Sequence, residues 1–387
     1  MTILKKSFFY LFLSQLASII FSIAIAQMLY AVLFVVWLIL IFKERQFSFT
    51  LVDLIFVAFI AVRILSIVIS EYPEASTLSY LREIIFYPYY FIAKYFVQSY
   101  GVSGVKQSVS VLIYSLIIPS VYAIVYVALG LIDRGRSFSS GSMMFSVHSA
   151  FVIAGTLALI LTEEHHKRKN ILLLILGLFI AALLSTYTRS MWIAVAICLV
   201  IFGYAGYKKY LLATTVAVIL MIASIAPLRE RFSTLLSPME HSSGRVEIWN
   251  AAIELMPKHP IFGFGPETFN LIAGDKSRFP DHRVNSWHNE FMQIQIESGI
   301  IATILLLLIY FVVAWMILQL RKGVNTEEGK FMFYFSLFSF VVIVSSIMFG
   351  SLMFSILNGM MLKFIIASIS SYSQRNNIVK QFQWRRA

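Results

Sequence analysis

The chain has 387 residues, of which 59% are hydrophobic and 13% are charged, and its formal net charge is +12. Soluble domains hold about 45–50% apolar and about 25% charged residues. With a mean hydropathy of +0.82, this chain has too little polar surface to face water on all sides, which excludes soluble, disordered and nucleic-acid-binding proteins. The composition predicts a polytopic membrane protein.

Apolar stretches long enough for one bilayer crossing, which needs about 20 helical residues, recur along the whole chain. Strands of a membrane barrel would instead alternate weakly over about ten residues, so we predict an all-α fold. The first apolar run has no small-residue cleavage site, and we expect it to be retained rather than removed as a signal peptide. We predict about twelve spans, at 7–25, 27–42, 50–70, 78–98, 106–130, 142–161, 170–186, 190–207, 209–226, 296–319, 330–348 and 350–370.

One stretch, residues 227–290, differs from the rest because it is rich in proline and charge. It lies between the ninth and tenth spans and is the one loop long enough to fold over the bundle. The predicted organisation is therefore a bundle of spans one to nine (1–226), a large external loop (227–290), and spans ten to twelve with a basic tail (291–387).

Charge placement predicts the orientation, because Lys and Arg are retained on the cytoplasmic side of a membrane. With both termini inside, the loops that become cytoplasmic carry more than half of the 31 basic residues. Short loops on the other side, such as 71–74 and 349–351, hold none. We therefore expect the large loop to be external, and periplasmic if the cell has two membranes, and we expect a net charge that reflects topology rather than acidic partners.

The large loop contains a predicted short amphipathic helix that starts at Ser243 or Gly244. Arg245 lies at its start, where unpaired backbone N–H groups and a basic side chain together favour an anion. Two prolines, at 257 and 260, end the helix. Its predicted apolar face consists of Trp249, Ala252, Ile253 and Met256.

Further polar residues are expected at the same membrane level. Asn289, Gln293 and Glu297 follow one another at four-residue spacing, a polar stripe on a helix that leads into the tenth span, and His288 heads it. Arg189 lies in a short external turn between the seventh and eighth spans. Each has a structural alternative: a snorkelling or salt-bridged arginine, or a histidine satisfied by its neighbours.

Several charges fall inside the predicted spans, where charged side chains usually face a cavity or each other. Whether Arg63 reaches a substrate is left open, and Lys363 is expected to point inward. We include Arg82, with Trp287 and Asn289 of the loop, among the candidate substrate-binding residues.

Taken together, the motifs resemble the O-antigen ligase and polymerase superfamily. The Arg189-Ser190-x-Trp192 step is similar to that family's upstream arginine motif. The other matching motifs are Gly244-Arg245-x3-Trp249, Pro260-x2-Gly263-x-Gly265-x3-Phe269 and His288-Asn289-x7-Glu297-x-Gly299.

The resemblance implies a membrane glycosyltransferase that needs neither metal nor cofactor. Such proteins take a glycan from an undecaprenyl diphosphate carrier and pass it to an acceptor, which in ligases is a lipid A core sugar. Arginine binds phosphate oxygens through a planar fork, so Arg189 and Arg245 are the candidate diphosphate clamp. His288 is the candidate general base, because histidine titrates near neutral pH, and we expect direct displacement with inversion.

Two other functions remain open at this point. An O-antigen or exopolysaccharide polymerase of the same superfamily would use a second carrier-linked glycan as acceptor, although polymerases commonly carry two substantial external loops and the 131–141 loop is short here. A transporter or flippase would use Arg63, Arg82 and Lys363 to pass an anionic lipid, but it would not require a folded external loop.

Overall fold

The computed structural model describes residues 2–44, 48–138, 140–233, 244–279, 284–350, 352–353, 355–378 and 382–383. Within these ranges the regular secondary structure is helical apart from one antiparallel pair of two-residue strands, β1 (Ser48–Phe49) and β2 (Phe382–Gln383). The predicted all-α class is therefore confirmed.

Fifteen α-helices lie in the described ranges. The first eight are α1 (Thr2–Phe21), α2 (Ile23–Glu44), α3 (Leu51–Ile69), α4 (Pro73–Ile84), α5 (Pro88–Ala128), α6 (Ser142–Thr162), α7 (His166–Ser185) and α8 (Arg189–Phe202). The remaining seven are α9 (Lys208–Ser224), α10 (Ala226–Ser233), α11 (Arg245–Leu255), α12 (Phe269–Ile272), α13 (Glu290–Leu320), α14 (Glu327–Phe349) and α15 (Ile356–Arg375).

In the described part of the chain, ten helical segments are long and apolar enough to cross a membrane, so the protein is a multi-pass membrane protein. The sequence predicts twelve spans because it divides two of these segments, Pro73–Ala128 and Arg189–Ser224, into two spans each. Each segment is interrupted by a glycine of positive φ, at Gly101 (φ 62°) and Gly206 (φ 113°). Glycine adopts this conformation without steric cost.

Both interruptions lie at the same end of the bundle, which we call the tail end because it carries β1 and β2. Just before Gly101, the Tyr100 hydroxyl donates to the carbonyl of Lys5, 2.6 Å away. Near Gly206, the Tyr207 hydroxyl donates to the Ile160 carbonyl over 3.3 Å, in the last turn of α6. These contacts lie directly beside the local break in the backbone at each glycine.

The centre of the bundle is formed by α6 and α15. The chain is buried without interruption over residues 145–161 and 357–371. A buried ion pair joins Asp53 of α3 to Lys94 of α5, and Asp53 also forms a capping box with Thr50. Charges inside the spans therefore pair with each other, as expected for groups placed in a low-dielectric interior.

The other end of the bundle, which we call the loop end, is covered by residues 244–279 and 284–289. This segment has its own apolar core, in which Ile248, Phe264, Phe269 and Trp287 are all buried. The predicted helix is present as α11. Of its predicted apolar face, Ala252 is buried and Trp249 and Met256 pack against the loop core, but Ile253 was assigned incorrectly. Ile253 is 56% exposed, because α11 packs through Ile248, Ala251 and Ala252 instead.

A break in α13 attaches the loop to the bundle. At Gly299 the backbone leaves helical geometry (φ 74°, ψ −173°), which frees two carbonyls of the preceding turn. Phe264 N–H donates to the Ile296 carbonyl over 2.8 Å, and Gly265 N–H donates to the Glu297 carbonyl over 2.9 Å. The glycines of the loop motif and of the α13 motif thus meet directly.

Candidate functional site

A cluster of arginines lies at the loop end, around the turn that joins α7 to α8. Arg134 donates through Nε to the Thr186 carbonyl over 2.9 Å. Arg231, at the end of the short helix α10, donates through Nε to the Tyr187 carbonyl over 3.3 Å. These carbonyls end α7, where the helix dipole favours cations. Arg189 follows in the same turn as the first residue of α8.

Arg245 completes this arginine cluster from the large loop. As the first residue of α11, it reaches the end of α14, where its Nη2 donates to the Phe349 carbonyl over 3.1 Å. Its guanidinium also stands 5.6 Å from the centre of the Phe349 ring. Burial lowers the pKa of Arg245, and the positive charges of Arg189, Arg231 and Arg134 lower this pKa further. Four cations from four segments therefore lie within electrostatic reach of one another.

Asn289, the neighbour of His288, binds the same end of α14 as Arg245 does. Asn289 caps α13 by accepting from Met292 N–H over 3.1 Å, and its Nδ2 donates to the Met348 carbonyl over 3.2 Å. The carbonyls of residues 348 and 349 thus anchor the segment that carries His288 and the helix that carries Arg245. His288 itself is partly exposed and has a positive φ of 50°.

Trp287 fixes the segment from the other side. Its side chain is fully buried and packs edge-on against Phe269, with 4.7 Å between the ring centres. Its carbonyl accepts from the indole N–H of Trp249 over 3.1 Å. The contacts of Trp287 and Asn289 therefore hold the backbone on both sides of His288. Both of these side chains are buried, whereas the His288 imidazole is partly exposed to solvent.

A buried polar network continues from this segment into the bundle. Trp287 N–H donates to Gln293 Oε1 over 2.9 Å, and Gln293 in turn donates to Glu297. Arg63 is fully buried between two carboxylates, 3.4 Å from Glu297 and 2.7 Å from Glu83. The predicted polar stripe is thus buried inside the bundle, where it pairs with the arginine of α3.

Arg82 lies apart from the arginine cluster. It lines a cavity of about 170 Å³ between α4, the start of α15 and the loop residue Glu267. Glu267 has a positive φ of 60°. Burial and the negative charge of Glu83 raise its pKa, although Arg63 acts in the opposite direction.

The structure brings together three of the residues that the sequence identifies, Arg189, Arg245 and His288, near the ends of α7 and α14. It places Arg82 elsewhere. Sequence reasoning missed Arg134 and Arg231, which it counted only as external charges. The signal for Arg134 was available, since it is a basic residue in a short external loop of the kind that normally lacks one.

The arrangement can bind an anion and accept a proton beside it. Clustered cations repel one another, so a bound anion would relieve that repulsion, and guanidinium groups suit phosphate oxygens. Within the described residues, no group of three His, Cys, Asp or Glu is placed to hold a metal ion. Independence from metal stays a prediction for experiment.

Comparison with known proteins agrees with the motifs. Residues 172–307 match the family model described as O-antigen ligase. The match includes Arg189, Arg245 and His288, and the resemblance to the O-antigen ligase and polymerase superfamily is confirmed. No curated protein gives a significant match to the chain.

Proposed function

We propose that the protein is an O-antigen ligase, a membrane glycosyltransferase that moves a glycan from undecaprenyl diphosphate to a hydroxyl of a lipid A core sugar. The reaction would take place at the loop end, on the periplasmic side of the bacterial inner membrane, with twelve crossings and both termini in the cytoplasm. The observation that carries this proposal is the arginine cluster, whose Arg245 binds the end of α14 next to the carbonyl that Asn289, the neighbour of His288, binds. This region matches the ligase family model.

The proposed step is a direct displacement. The acceptor hydroxyl oxygen attacks the anomeric carbon, its proton passes to His288, and the bond from that carbon to the diphosphate oxygen breaks. The lipid-linked diphosphate leaves with its electron pair, and the anomeric configuration inverts. His288 then releases the proton to water, and the step requires neither metal nor nucleotide.

The arginines have two tasks in this scheme. They hold the diphosphate of the donor, and they stabilise the charge that develops on the leaving oxygen, where preorganised donors are most effective. Arg245 uses one N–H to bind the Phe349 carbonyl, and a guanidinium carries five, so donors remain for phosphate.

Transport is supported less well by the same residues. A transporter would need cations along a path between the two ends of the bundle. Arg63, the central candidate, is held between Glu83 and Glu297 instead, a fully buried arrangement that costs several kcal/mol to break.

The test is a transfer assay with purified protein, a carrier-linked glycan and a lipid A core acceptor. We expect transfer without ATP and in excess EDTA, and at least a hundredfold loss in His288→Ala with donor binding retained, since a positioned base contributes about 10²–10⁴-fold. His166→Ala, which changes an exposed histidine at the tail end, is the matched control. Loss of transfer on chelation with recovery on added Mg²⁺ contradicts the mechanism.

A second arm of the assay replaces the core acceptor with another carrier-linked glycan. Elongation of the carrier-linked chain, without transfer to the core, would identify a polymerase instead. Near-normal transfer by His288→Ala would remove the general base from either scheme.

A further inference from the structure

The cavity beside Arg82 has the composition of a small polar binding site. Its wall includes the charged side chains of Arg82, Glu83, Glu267 and Lys363, together with apolar surface from Met353. Its volume of about 170 Å³ equals that of roughly five to six liquid water molecules, at about 30 Å³ each. The space is therefore suited to a single ring-sized polar group.

One charged group in this cavity is buried without a hydrogen-bond partner in the described structure. Lys363 is only 4% exposed, and its ammonium stands 5.3 Å from the centre of the Tyr87 ring. By contrast, Glu83 is already bound by Arg63 and by the Tyr87 hydroxyl. A buried ammonium normally has hydrogen-bond acceptors, so an occupant with oxygen atoms would complete the site.

The other side of the cavity supplies an acceptor. Glu267 projects from the loop in a left-handed backbone conformation (φ 60°), which a glutamate rarely adopts. Residues held in such conformations cluster at binding sites, where the surrounding structure maintains the strain. A carboxylate, an ammonium and apolar side chains that line one cavity match the hydroxyls and the C–H face of a sugar.

The position of the cavity relates it to His288. Glu290, two residues after His288, accepts from Leu352 N–H over 2.7 Å and from Met353 N–H over 3.3 Å. Met353 lines the cavity, whereas Arg245 binds residue 349. The His288 segment therefore binds residue 348, next to the carbonyl that Arg245 binds, and also binds Met353 of the cavity wall.

We propose that this cavity binds one neutral, hydroxyl-rich sugar unit of the acceptor glycan, with Glu267 accepting from its hydroxyls and Lys363 donating to its oxygens. The inference rests on the proposed function, and it adds an acceptor subsite separate from the arginine cluster. It makes Glu267 and Lys363 residues that determine acceptor specificity.

The experiment compares Glu267→Gln with Glu254→Gln, which changes an exposed carboxylate of the same loop. We expect Glu267→Gln to raise the KM for the core acceptor about tenfold or more, the loss that follows removal of a charge-assisted hydrogen bond. The KM for the carrier-linked donor should change less than twofold. Saturation-transfer NMR with delipidated core oligosaccharide should show weaker contact in Glu267→Gln than in Glu254→Gln.

The outcomes separate this inference from the function it rests on. Absence of transfer in the unmodified protein overturns the proposed function. Transfer with an unchanged acceptor KM in Glu267→Gln overturns the acceptor subsite alone, as does a rise confined to the donor KM. Lys363→Met should repeat the effect on the acceptor KM, and if that variant does not fold, Glu267→Gln decides the question.

Discussion

The guanidinium of Arg245 is held beside three other cations, an arrangement that folding alone does not require. Arg245→Ala should raise the donor dissociation constant about tenfold or more, because a charged hydrogen bond to phosphate contributes about 1.5–3 kcal/mol. Arg245→Lys should restore only part of the affinity, since an ammonium replaces a bidentate fork. Binding of carrier-linked glycan to purified protein measures both effects.

The control is Arg229→Ala, which removes an exposed arginine of the same loop whose side chain donates to the Ala223 carbonyl at the end of α9. Donor affinity should be unchanged in this variant. If Arg245→Ala and Arg189→Ala also bind donor normally, the arginines are topology and helix-end residues, and the proposed clamp is rejected.

The raised pKa of Glu267 predicts a pH dependence for acceptor binding. An ionised carboxylate accepts hydroxyl hydrogen bonds and a protonated one accepts them poorly, so the acceptor KM should rise as the pH falls through this raised pKa. The rise should begin at a higher pH than for an ordinary glutamate, whose pKa is 4.5. Glu267→Gln should remove this pH dependence from the acceptor KM profile.

The same shift has a consequence for stability. Because the folded pKa lies above the unfolded one, the fold favours the protonated carboxyl, and stability falls as the pH rises through this interval. Glu267→Gln should then unfold at an equal or higher temperature than the unmodified protein at neutral pH. A lower Tm would assign Glu267 a structural role and weaken its assignment to binding.

At the residue scale, the sequence predicted the groups that belong to local motifs. Arg189, Arg245 and His288 each stand in a recognisable pattern, and the structure brings their segments together. Arg134, Arg231 and Glu267 stand in no such pattern, because their places depend on contacts between distant segments. A single sequence gives no direct measure of those contacts.

The break in α13 at Gly299 is the element on which the placement of the loop depends. A methyl group at this position would overlap the Ile261 carbonyl, and the backbone has a positive φ. Gly299→Ala should therefore destabilise the protein by about 2–4 kcal/mol, the sum expected for backbone strain and overpacking. Thermal unfolding of the purified protein measures this loss.

Gly274→Ala is the matched control, because Gly274 also has a positive φ (70°) but has open space around it. Gly274→Ala should lower the free energy of unfolding by about 1–2 kcal/mol, because only the left-handed backbone conformation opposes an alanine there. Equal destabilisation by the two substitutions would mean that the close contact between loop and helix contributes nothing, and that conformation alone requires the glycine.

At the scale of elements, the length of each apolar stretch in the sequence predicted well which parts of the chain form long helices. The buried face of α11 was predicted only in part, because Ile253 fits the apolar spacing and yet is exposed, while Ile248 packs in the loop core instead. At Gly101 and Gly206, by contrast, the sequence divided segments that the structure keeps helical on both sides of the glycine. The sequence placed span boundaries near both glycines, where the helical segments continue apart from a local break in the backbone.

For the whole molecule, the two ends of the bundle differ in chemistry. The tail end carries ion pairs between helix ends, such as Lys5 with Glu44 and Lys106 with Glu327. The loop end carries the arginine cluster, the cavity and the loop core. The charge asymmetry in the sequence predicts that the tail end is cytoplasmic, and this orientation stays a prediction.

This orientation can be tested with single cysteines, because the native Cys198 is fully buried and should not react with a membrane-impermeant thiol reagent. Glu254→Cys, on the exposed side of α11, should be labelled in cells whose outer membrane alone is permeabilised. His166→Cys, at the tail end, should be labelled only after the inner membrane is ruptured. The opposite pattern would place the arginine cluster in the cytoplasm, where a periplasmic core acceptor could not reach it. The proposed orientation and the proposed reaction would then both be wrong.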